Sequence, residues 1–128
     1  MGEVAGDREL LRRAFENVLR NAIRYSPEQA AIEVALAESA RLITIAVRDY
    51  GPGVPAESLT RIFEPFFRVE EGRDEKTEGI NLGLSIAKRA VRLHRGTITA
   101  QNAHPGLRVQ IAIPTTVPQV LLATPGRT

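Results

Sequence analysis

Two segments of the chain place apolar residues at helical spacing. A first helix is predicted between Asp7 and Tyr25, with one apolar side formed by Leu10, Leu11, Ala14, Phe15, Val18, Leu19, Ala22 and Ile23. Pro27 ends it, because the residue before a proline avoids helical geometry. A second helix is predicted from Leu82 to His94, with a buried side formed by Leu84, Ile86, Ala87, Ala90, Val91 and Leu93.

Other segments show the two-residue alternation of half-buried strands. Two of them flank the 38–41 turn and predict a β-hairpin, with apolar sides formed by Ile32, Val34 and Leu36 and by Ile43, Ile45 and Val47. A short helix is predicted over 56–63, and two more strands over 97–101 and 107–114. This order predicts an α+β fold, a two-layer α/β sandwich whose mostly antiparallel mixed sheet is covered on one face by helices.

Length and composition indicate one globular domain. The 128 residues are 43% hydrophobic and 25% charged, which is ordinary for such a domain. The 17 Lys and Arg are spread among 15 Asp and Glu, so no nucleic-acid partner is expected. The absence of cysteine excludes disulfides and thiolate metal sites. No apolar run reaches the ~20 residues of a membrane helix, so no direct membrane contact is expected. We expect a disordered start over 1–6, a folded domain over 7–114 and a flexible tail over 115–128.

A polar strip follows the first helix. Asn17 and Asn21 are four residues apart and Arg24 is three further on, so the three side chains lie within about 60° of one another. Asparagine is a poor helix former, and two in one strip require an explanation. They either face water or bond the backbone at the helix rim, or their amide oxygens hold Mg²⁺ while Arg24 meets an anion. Mg²⁺ suits that role because it often takes only one or two protein oxygens.

The loop 49–55 follows the hairpin. Its sequence, DYGPGVP, contains two glycines, which permit positive φ and close approach of a flat ligand, and two prolines, which stiffen it. Asp49 at its start can accept a hydrogen bond from an exocyclic amine such as that of adenine. Aspartate also commonly caps turns, so this loop alone leaves both interpretations open.

Four segments of the chain form a distinctive set: ENVLRNAIRYS (16–26), DYGPGVP (49–55), IFEPFFR (62–68) and GINLGLSIAKRAV (79–91). In order and spacing they resemble the N, G1, F and G2 boxes of sensor histidine kinases. Over about residues 7–114 the chain therefore resembles the catalytic and ATP-binding domain of those kinases, within the GHKL superfamily; segment 66–74 is similar to the Cpx type. The resemblance implies a Bergerat-type sandwich, ATP and Mg²⁺ as cofactors, and phosphoryl transfer to a histidine.

The same resemblance implies roles for individual residues. Asn21 would be the Mg²⁺ ligand, Asn17 would lie beside it as a catalytic and nucleotide-contacting residue, and Arg24 would contact phosphate. Arg68 would swing towards the γ-phosphate as a second catalytic residue. Asp49 would take the adenine amine. The other expected nucleotide contacts are Tyr25, Gly51, Gly53, Val54, Ile62, Phe63, Lys76, Gly79, Asn81, Leu82, Gly83 and Leu84.

Asn81 departs from the family pattern Gly-x-Gly-Leu-Gly-Leu, since it occupies the position of the middle glycine. Asparagine tolerates positive φ and is a good helix N-cap, so its side chain would compete with phosphate for backbone amides and lower ATP affinity. Ile80 also lacks the hydroxyl of the usual threonine. A nucleotide-independent pseudokinase or docking module, another GHKL ATPase, and an anti-sigma-type serine kinase are the alternatives.

The resemblance also implies partners and a location. Neither His94 nor His104 is followed by the acidic residue of an acceptor motif, so both are expected to be structural. The phosphoacceptor is then expected on a dimerisation helix of a parent kinase, with a response regulator as an indirect partner. The isolated domain is expected to be a monomer on the cytoplasmic side of an inner-membrane sensor.

Overall fold

The computed structural model describes residues 7–67 and 81–115. Two helices, α1 and α2, and four strands, β1 to β4, form most of these ranges. In chain order they are α1 (Arg8–Tyr25), β1 (Glu33–Glu38), β2 (Leu42–Arg48), α2 (Asn81–Leu93), β3 (Thr97–Asn102) and β4 (Leu107–Pro114). Within these ranges, neither helix is long and apolar enough to cross a bilayer.

The four strands form one antiparallel sheet in the order β1-β2-β4-β3. Helix α1 packs against α2 and β2, and α2 also packs against β3, so both helices cover the same face. The buried core lies between the two layers and includes Ala14, Val18, Ala22, Val47, Leu84, Ala87, Ala90, Val91, Ile98, Leu107, Val109, Ile111 and Ile113. The predicted hairpin and the two-layer sandwich are confirmed.

The prediction of one short α-helix over 56–63 is wrong, because the segment adopts a different helical form. The segment forms two 3₁₀ turns, Ala56–Ser58 and Arg61–Phe63. The amide of Ser58 bonds to the carbonyl of Pro55, and the amide of Glu64 to that of Arg61, three residues back in each case. Pieces this short commonly adopt the tighter 3₁₀ spacing.

Three residues predicted on the buried sides of the helices are exposed. They are Ile23 on α1, and Ile86 and Leu93 on α2. At 100° per residue, Ile86 and Leu93 lie about 140° and 160° from the fully buried Val91, and Ile23 lies about 140° from Val18. The prediction took these stripes to be wider than the surface that the sheet and the other helix cover.

The apolar side of β1 is exposed although the strand was predicted correctly. Val34 and Leu36 are 51% and 59% exposed, although they lie opposite Val47 and Ile45 and therefore share the helix-facing side of the sheet. β1 is the edge strand beyond β2, against which α1 packs. The alternation identified the strand and its face correctly, but the helical layer is too narrow to cover it.

His94 joins the end of α2 to the start of α1. Its Nδ1 donates to the carbonyl of Ala90 at 2.8 Å, and its Nε2 accepts from the backbone amide of Asp7 at 2.9 Å. The Asp7 carboxylate in turn caps α1 by accepting from the amides of Glu9 and Leu10 at 2.9 and 3.3 Å. These bonds support the structural role expected for His94.

We expect His94→Ala to lower the free energy of unfolding by about 1–2 kcal/mol, because the variant loses one hydrogen bond to the start of α1 and one to the last turn of α2. Urea denaturation followed by circular dichroism measures this change. The control is Arg89→Ala, an exposed position on the same helix, which should stay within about 0.5 kcal/mol of the parent chain. Equal stability of the two variants would remove the structural role.

Candidate functional site

The end of β2 delivers Asp49 into a buried position at the start of the 49–55 loop. The residue is only 3% exposed. Its Oδ1 accepts from the amides of Gly51 at 2.9 Å and Leu107 at 3.1 Å, while its own amide donates to the carbonyl of Leu107 at 2.9 Å. The carboxylate is therefore fixed in orientation by the backbone of its own loop and of β4.

A pocket opens beside Asp49. It is lined by Tyr25, Asp49, Pro52, Gly53, Val54 and Leu107. This recess is much smaller than a whole small-molecule site, so it forms only part of any larger binding surface. Four of the six lining residues were predicted from the sequence as nucleotide contacts.

Two glycines give the loop its shape. A Cβ on Gly51 would lie 2.2 Å from the carbonyl oxygen of Tyr25, so the loop crosses the end of α1 at a distance that only glycine permits. Gly53 has a φ of 74°, in the region that favours glycine. The amide of Tyr50 donates to Ser26 Oγ at 3.0 Å, which also ties the loop to the residue after α1.

Asn102, Gly106 and Leu107 support this loop from the β3–β4 hairpin, and none of the three was predicted as a site residue. Asn102 bonds both polar groups of the Val54 backbone. Gly106 has a φ of 95°, and a Cβ there would lie 1.8 Å from the carbonyl oxygen of Asp49. Asparagine and glycine are ordinary turn residues, so only their distance from Asp49 in space reveals this role.

Arg48 and Tyr50 flank Asp49 and hold the hairpin turn in place. The Arg48 guanidinium lies 4.2 Å from the centre of the Tyr50 ring, and its Nη2 donates to the carbonyl of Pro105 at 3.0 Å. The Tyr50 hydroxyl donates to the Glu33 carboxylate, and this bond raises the pKa of Tyr50 above its ordinary value. The loop is thereby connected to the start of β1 and to the turn between β3 and β4.

A second part of the site lies between the two helices. Asn21 is only 8% exposed and Asn17 is half-buried. A Cβ on Gly83 would lie 3.7 Å from Asn17 Oδ1, so the first turn of α2 faces this residue of α1. The burial of Asn21 argues against the alternative in which the polar strip faces water. Arg24 is exposed at the end of the strip.

The remaining residues predicted to contact the nucleotide lie either in the hydrophobic core or at the surface. Ile62 and Phe63 are buried, as is Leu84, and all three belong to the hydrophobic core rather than to the pocket lining. Leu82 is exposed on the first turn of α2. Their contacts with a nucleotide stay predictions.

Several predicted residues lie outside the described part of the chain. Arg68, Lys76 and Gly79 are among them, as are the expected disordered start and all but the first residue of the tail. For Asn81 the backbone is described as the first residue of α2, but the side chain is not. Its competition with phosphate therefore stays a hypothesis.

The donor chemistry between the helices fits Mg²⁺ that arrives with phosphates. Within residues 7–67 and 81–115, no group of three or more His, Asp or Glu side chains is arranged to hold a metal ion. Mg²⁺ does not need such a cage, since it often binds through one or two protein oxygens and completes its shell with water and phosphate. The amide oxygen of Asn21 provides a ligand of the required type.

Comparison with known proteins assigns the chain to a protein family. Residues 6–117 match the family model described as "Histidine kinase-, DNA gyrase B-, and HSP90-like ATPase". The chain belongs to this ATPase family. The ATPase domain is 44% identical over 110 residues to the sensor histidine kinase CpxA of Escherichia coli K12, covering 85% of this chain and 24% of CpxA. It is 36% identical over 111 residues to the probable sensor kinase SilS of Salmonella typhimurium, covering 87% of this chain and 22% of SilS.

Solved structures support the same assignment of the ATPase domain. The mycobacterial sensor histidine kinase MprB matches with a TM-score of 0.79 and 34% identity, over 88% of this chain and 76% of that one. The catalytic domain of histidine kinase ThkA matches with a TM-score of 0.75 and 28% identity, over 88% and 71% of the two chains. The predicted resemblance to histidine kinase catalytic domains and the sandwich fold are thus confirmed. The chain spans about a quarter of the curated relatives' length.

Proposed function

We propose that this chain binds ATP with Mg²⁺ and presents its γ-phosphoryl group to a histidine outside the chain, as the catalytic domain of a sensor histidine kinase. The observation that supports this is the position of two complementary half-sites along α1. Tyr25 at its end lines the Asp49 pocket, and Asn17, eight residues earlier, faces Gly83 of α2. About 12 Å of helix separates the two residues, a span that suits an extended nucleotide rather than a base alone.

Each half-site has a distinct task. The Asp49 carboxylate accepts a hydrogen bond from the exocyclic amine of adenine, while the loop around Gly53 and Val54 covers the flat ring. At the other end, the backbone amides in the first turn of α2 donate to phosphate oxygens, helped by the positive end of the helix dipole. Asn21 would hold Mg²⁺, which supplies charge neutralisation on the phosphates when bound.

The chemical step is a displacement at phosphorus. The bond from the γ-phosphorus to the bridging oxygen breaks, ADP leaves with the electron pair, and a new bond forms to a ring nitrogen of the acceptor histidine. Positioning and charge neutralisation provide most of the catalysis in such transfers. Asn17 would orient the phosphates.

The acceptor lies in another part of a longer protein under this proposal. His94 is occupied by bonds to Asp7 and Ala90. CpxA and SilS are both described as sensor kinases, and this chain matches only about a quarter of each. We place the acceptor histidine on a dimerisation helix of the parent kinase, a response regulator downstream, and this domain in the cytoplasm.

Calorimetric titration with a non-hydrolysable ATP analogue, with and without Mg²⁺, tests the proposal. We expect Mg²⁺ to strengthen binding to the parent chain, and Asn21→Ala to weaken binding in Mg²⁺ about tenfold or more through loss of a charged-ligand contact. Arg20→Ala, an exposed neighbour on α1, is the matched control and should bind normally. Failure of the parent chain to bind millimolar nucleotide would favour a docking module instead.

Gly83→Ala should separate binding from folding. The added Cβ would meet Asn17 only at ordinary contact distances of 3.7 Å or more, and alanine is the better helix former, so stability should rise by up to about 1 kcal/mol. ATP affinity should nevertheless fall about tenfold, because the methyl group occupies space beside the phosphate-binding amides. Thermal denaturation and calorimetry measure the two effects. Unchanged affinity would mean that phosphate does not approach this turn.

A further inference from the structure

We propose that Asn102, at the end of β3, is a positioning residue that holds one wall of the base pocket in its binding shape. The inference rests on the proposed nucleotide function. Asn102 belongs to none of the four sequence boxes and does not line the pocket. It acts through Val54 and Gly53, which do.

The Asn102 side chain joins the loop by a two-point contact. Its Oδ1 accepts from the Val54 amide at 2.9 Å, and its Nδ2 donates to the Val54 carbonyl at 2.7 Å. A carboxamide is the side-chain group that offers one donor and one acceptor in the same plane, as a peptide unit does. The contact therefore resembles one rung of strand pairing between β3 and a loop that has no strand of its own there.

The fit also explains the conformation of the neighbouring residue. A Cβ on Gly53 would lie 2.5 Å from Asn102 Oδ1, and Gly53 has a φ of 74°. Glycine lets the loop approach the carboxamide, and the carboxamide in turn holds the left-handed turn that glycine permits. In the described part of the chain, Asn102 is the side chain that bonds the Val54 backbone, through both its amide and its carbonyl.

One residue pair of the β3–β4 hairpin hydrogen-bonds to both walls of the pocket. Asn102 lies directly opposite Leu107 in the strand register. Asn102 holds Val54 on one wall, while the Leu107 amide donates to the Asp49 carboxylate on the other. The spacing between the carboxylate and the opposite wall is thus fixed by a single rung of the sheet, and the width of the pocket depends on it.

Three variants of the full chain test this role. Asn102→Ala removes both bonds, and Asn102→Asp keeps an acceptor for the Val54 amide but loses the donor to its carbonyl. Gln101→Ala, an exposed change on the same strand, is the matched control. Amide hydrogen exchange by NMR reports the protection of the Val54 amide, and calorimetry with an ATP analogue in Mg²⁺ gives both the dissociation constant and the fraction of competent protein.

In Asn102→Ala, we expect the Val54 amide to exchange at least tenfold faster and the dissociation constant to rise about tenfold, with the competent fraction unchanged. Asn102→Asp should lose at least as much Val54 protection and affinity as Asn102→Ala, because a carboxylate oxygen would face the Val54 carbonyl where Nδ2 donates at 2.7 Å. A purely structural role would instead lower the fraction of binding-competent protein and leave the dissociation constant of that fraction unchanged. This result would overturn the proposal. Unchanged affinity in Asn102→Ala, or an equal loss in Gln101→Ala, would also overturn it.

The outcome for the parent chain separates this inference from the proposed function. If the parent chain binds no ATP analogue, the proposed function fails and the positioning role fails with it. If the parent chain binds and Asn102→Ala binds equally well, only the positioning role fails.

Discussion

Asp49→Asn should weaken ATP binding roughly 100-fold while the protein stays folded. The amide oxygen of asparagine can still accept the bonds from Gly51 and Leu107 that Asp49 Oδ1 accepts at 2.9 and 3.1 Å. The other end of the side chain becomes an NH₂ donor, which would face the donor amine of adenine. The variant loses a hydrogen bond to a charged group and places two buried donors against each other. Together these effects cost about 3 kcal/mol of binding free energy, which corresponds to a roughly 100-fold loss of affinity.

The measurement is calorimetric titration of Asp49→Asn beside Glu57→Gln. Glu57 is an exposed carboxylate on the first 3₁₀ turn and serves as a charge-matched control that should bind ATP normally. Urea denaturation should place Asp49→Asn within about 1 kcal/mol of the parent chain, because its backbone bonds survive. An affinity within threefold of the parent would show that Asp49 only caps the turn, the alternative that the sequence left open.

Gly106→Ala should have the largest effect on stability. A Cβ on Gly106 would lie 1.8 Å from the carbonyl oxygen and 2.6 Å from the carbonyl carbon of Asp49, and both are backbone atoms. The φ of 95° adds strain of its own for any L side chain. We expect the free energy of unfolding to fall by about 2–4 kcal/mol, since the Asp49 backbone must move to make room.

Because that movement displaces the carboxylate, Gly106→Ala should also lose ATP affinity in the protein that remains folded. Urea denaturation and calorimetry at low temperature measure the two losses. Gly83→Ala is the matched comparison, since the same methyl group there would lie 3.7 Å from Asn17 Oδ1, its nearest neighbour among the described residues, and should leave the fold intact. Equal stability of the two variants would contradict the close approach of Gly106 to Asp49.

The site residues that could be predicted are those with an unusual residue type close to other such residues in the chain. Asn17 and Asn21 are poor helix formers on one strip, and Gly51 and Gly53 interrupt regular structure beside a carboxylate, so each group is visible within a few residues. Asn102 and Gly106 escaped prediction because they look like ordinary turn residues. Their importance depends on contacts with Val54 and Asp49, about fifty residues away in the chain, and such contacts are created only by the β2–β4 and β3–β4 pairings.

The fold was predictable to a similar extent and for a similar reason. Alternation in β1 and β2 reports which side chains share a face, and the register of Val34 opposite Val47 confirms that face. It does not report how far the helical layer extends. The exposure of Val34 and Leu36, and of Ile86 and Leu93 on α2, therefore follows from the width of a layer that no local pattern encodes.

The exposed edge strand β1 has a consequence for how the protein behaves at high concentration. Its sequence, EVALAE, places Glu33 and Glu38 at either end of four apolar residues. If two copies paired through this edge in antiparallel register, each Glu33 would lie opposite the Glu38 of the other copy, and like charges placed in this way repel. The glutamates thus disfavour self-association through the outer edge of β1, which pairs with no other strand in the described part of the chain. Since dissolved ions screen such repulsion, the protection weakens as ionic strength rises.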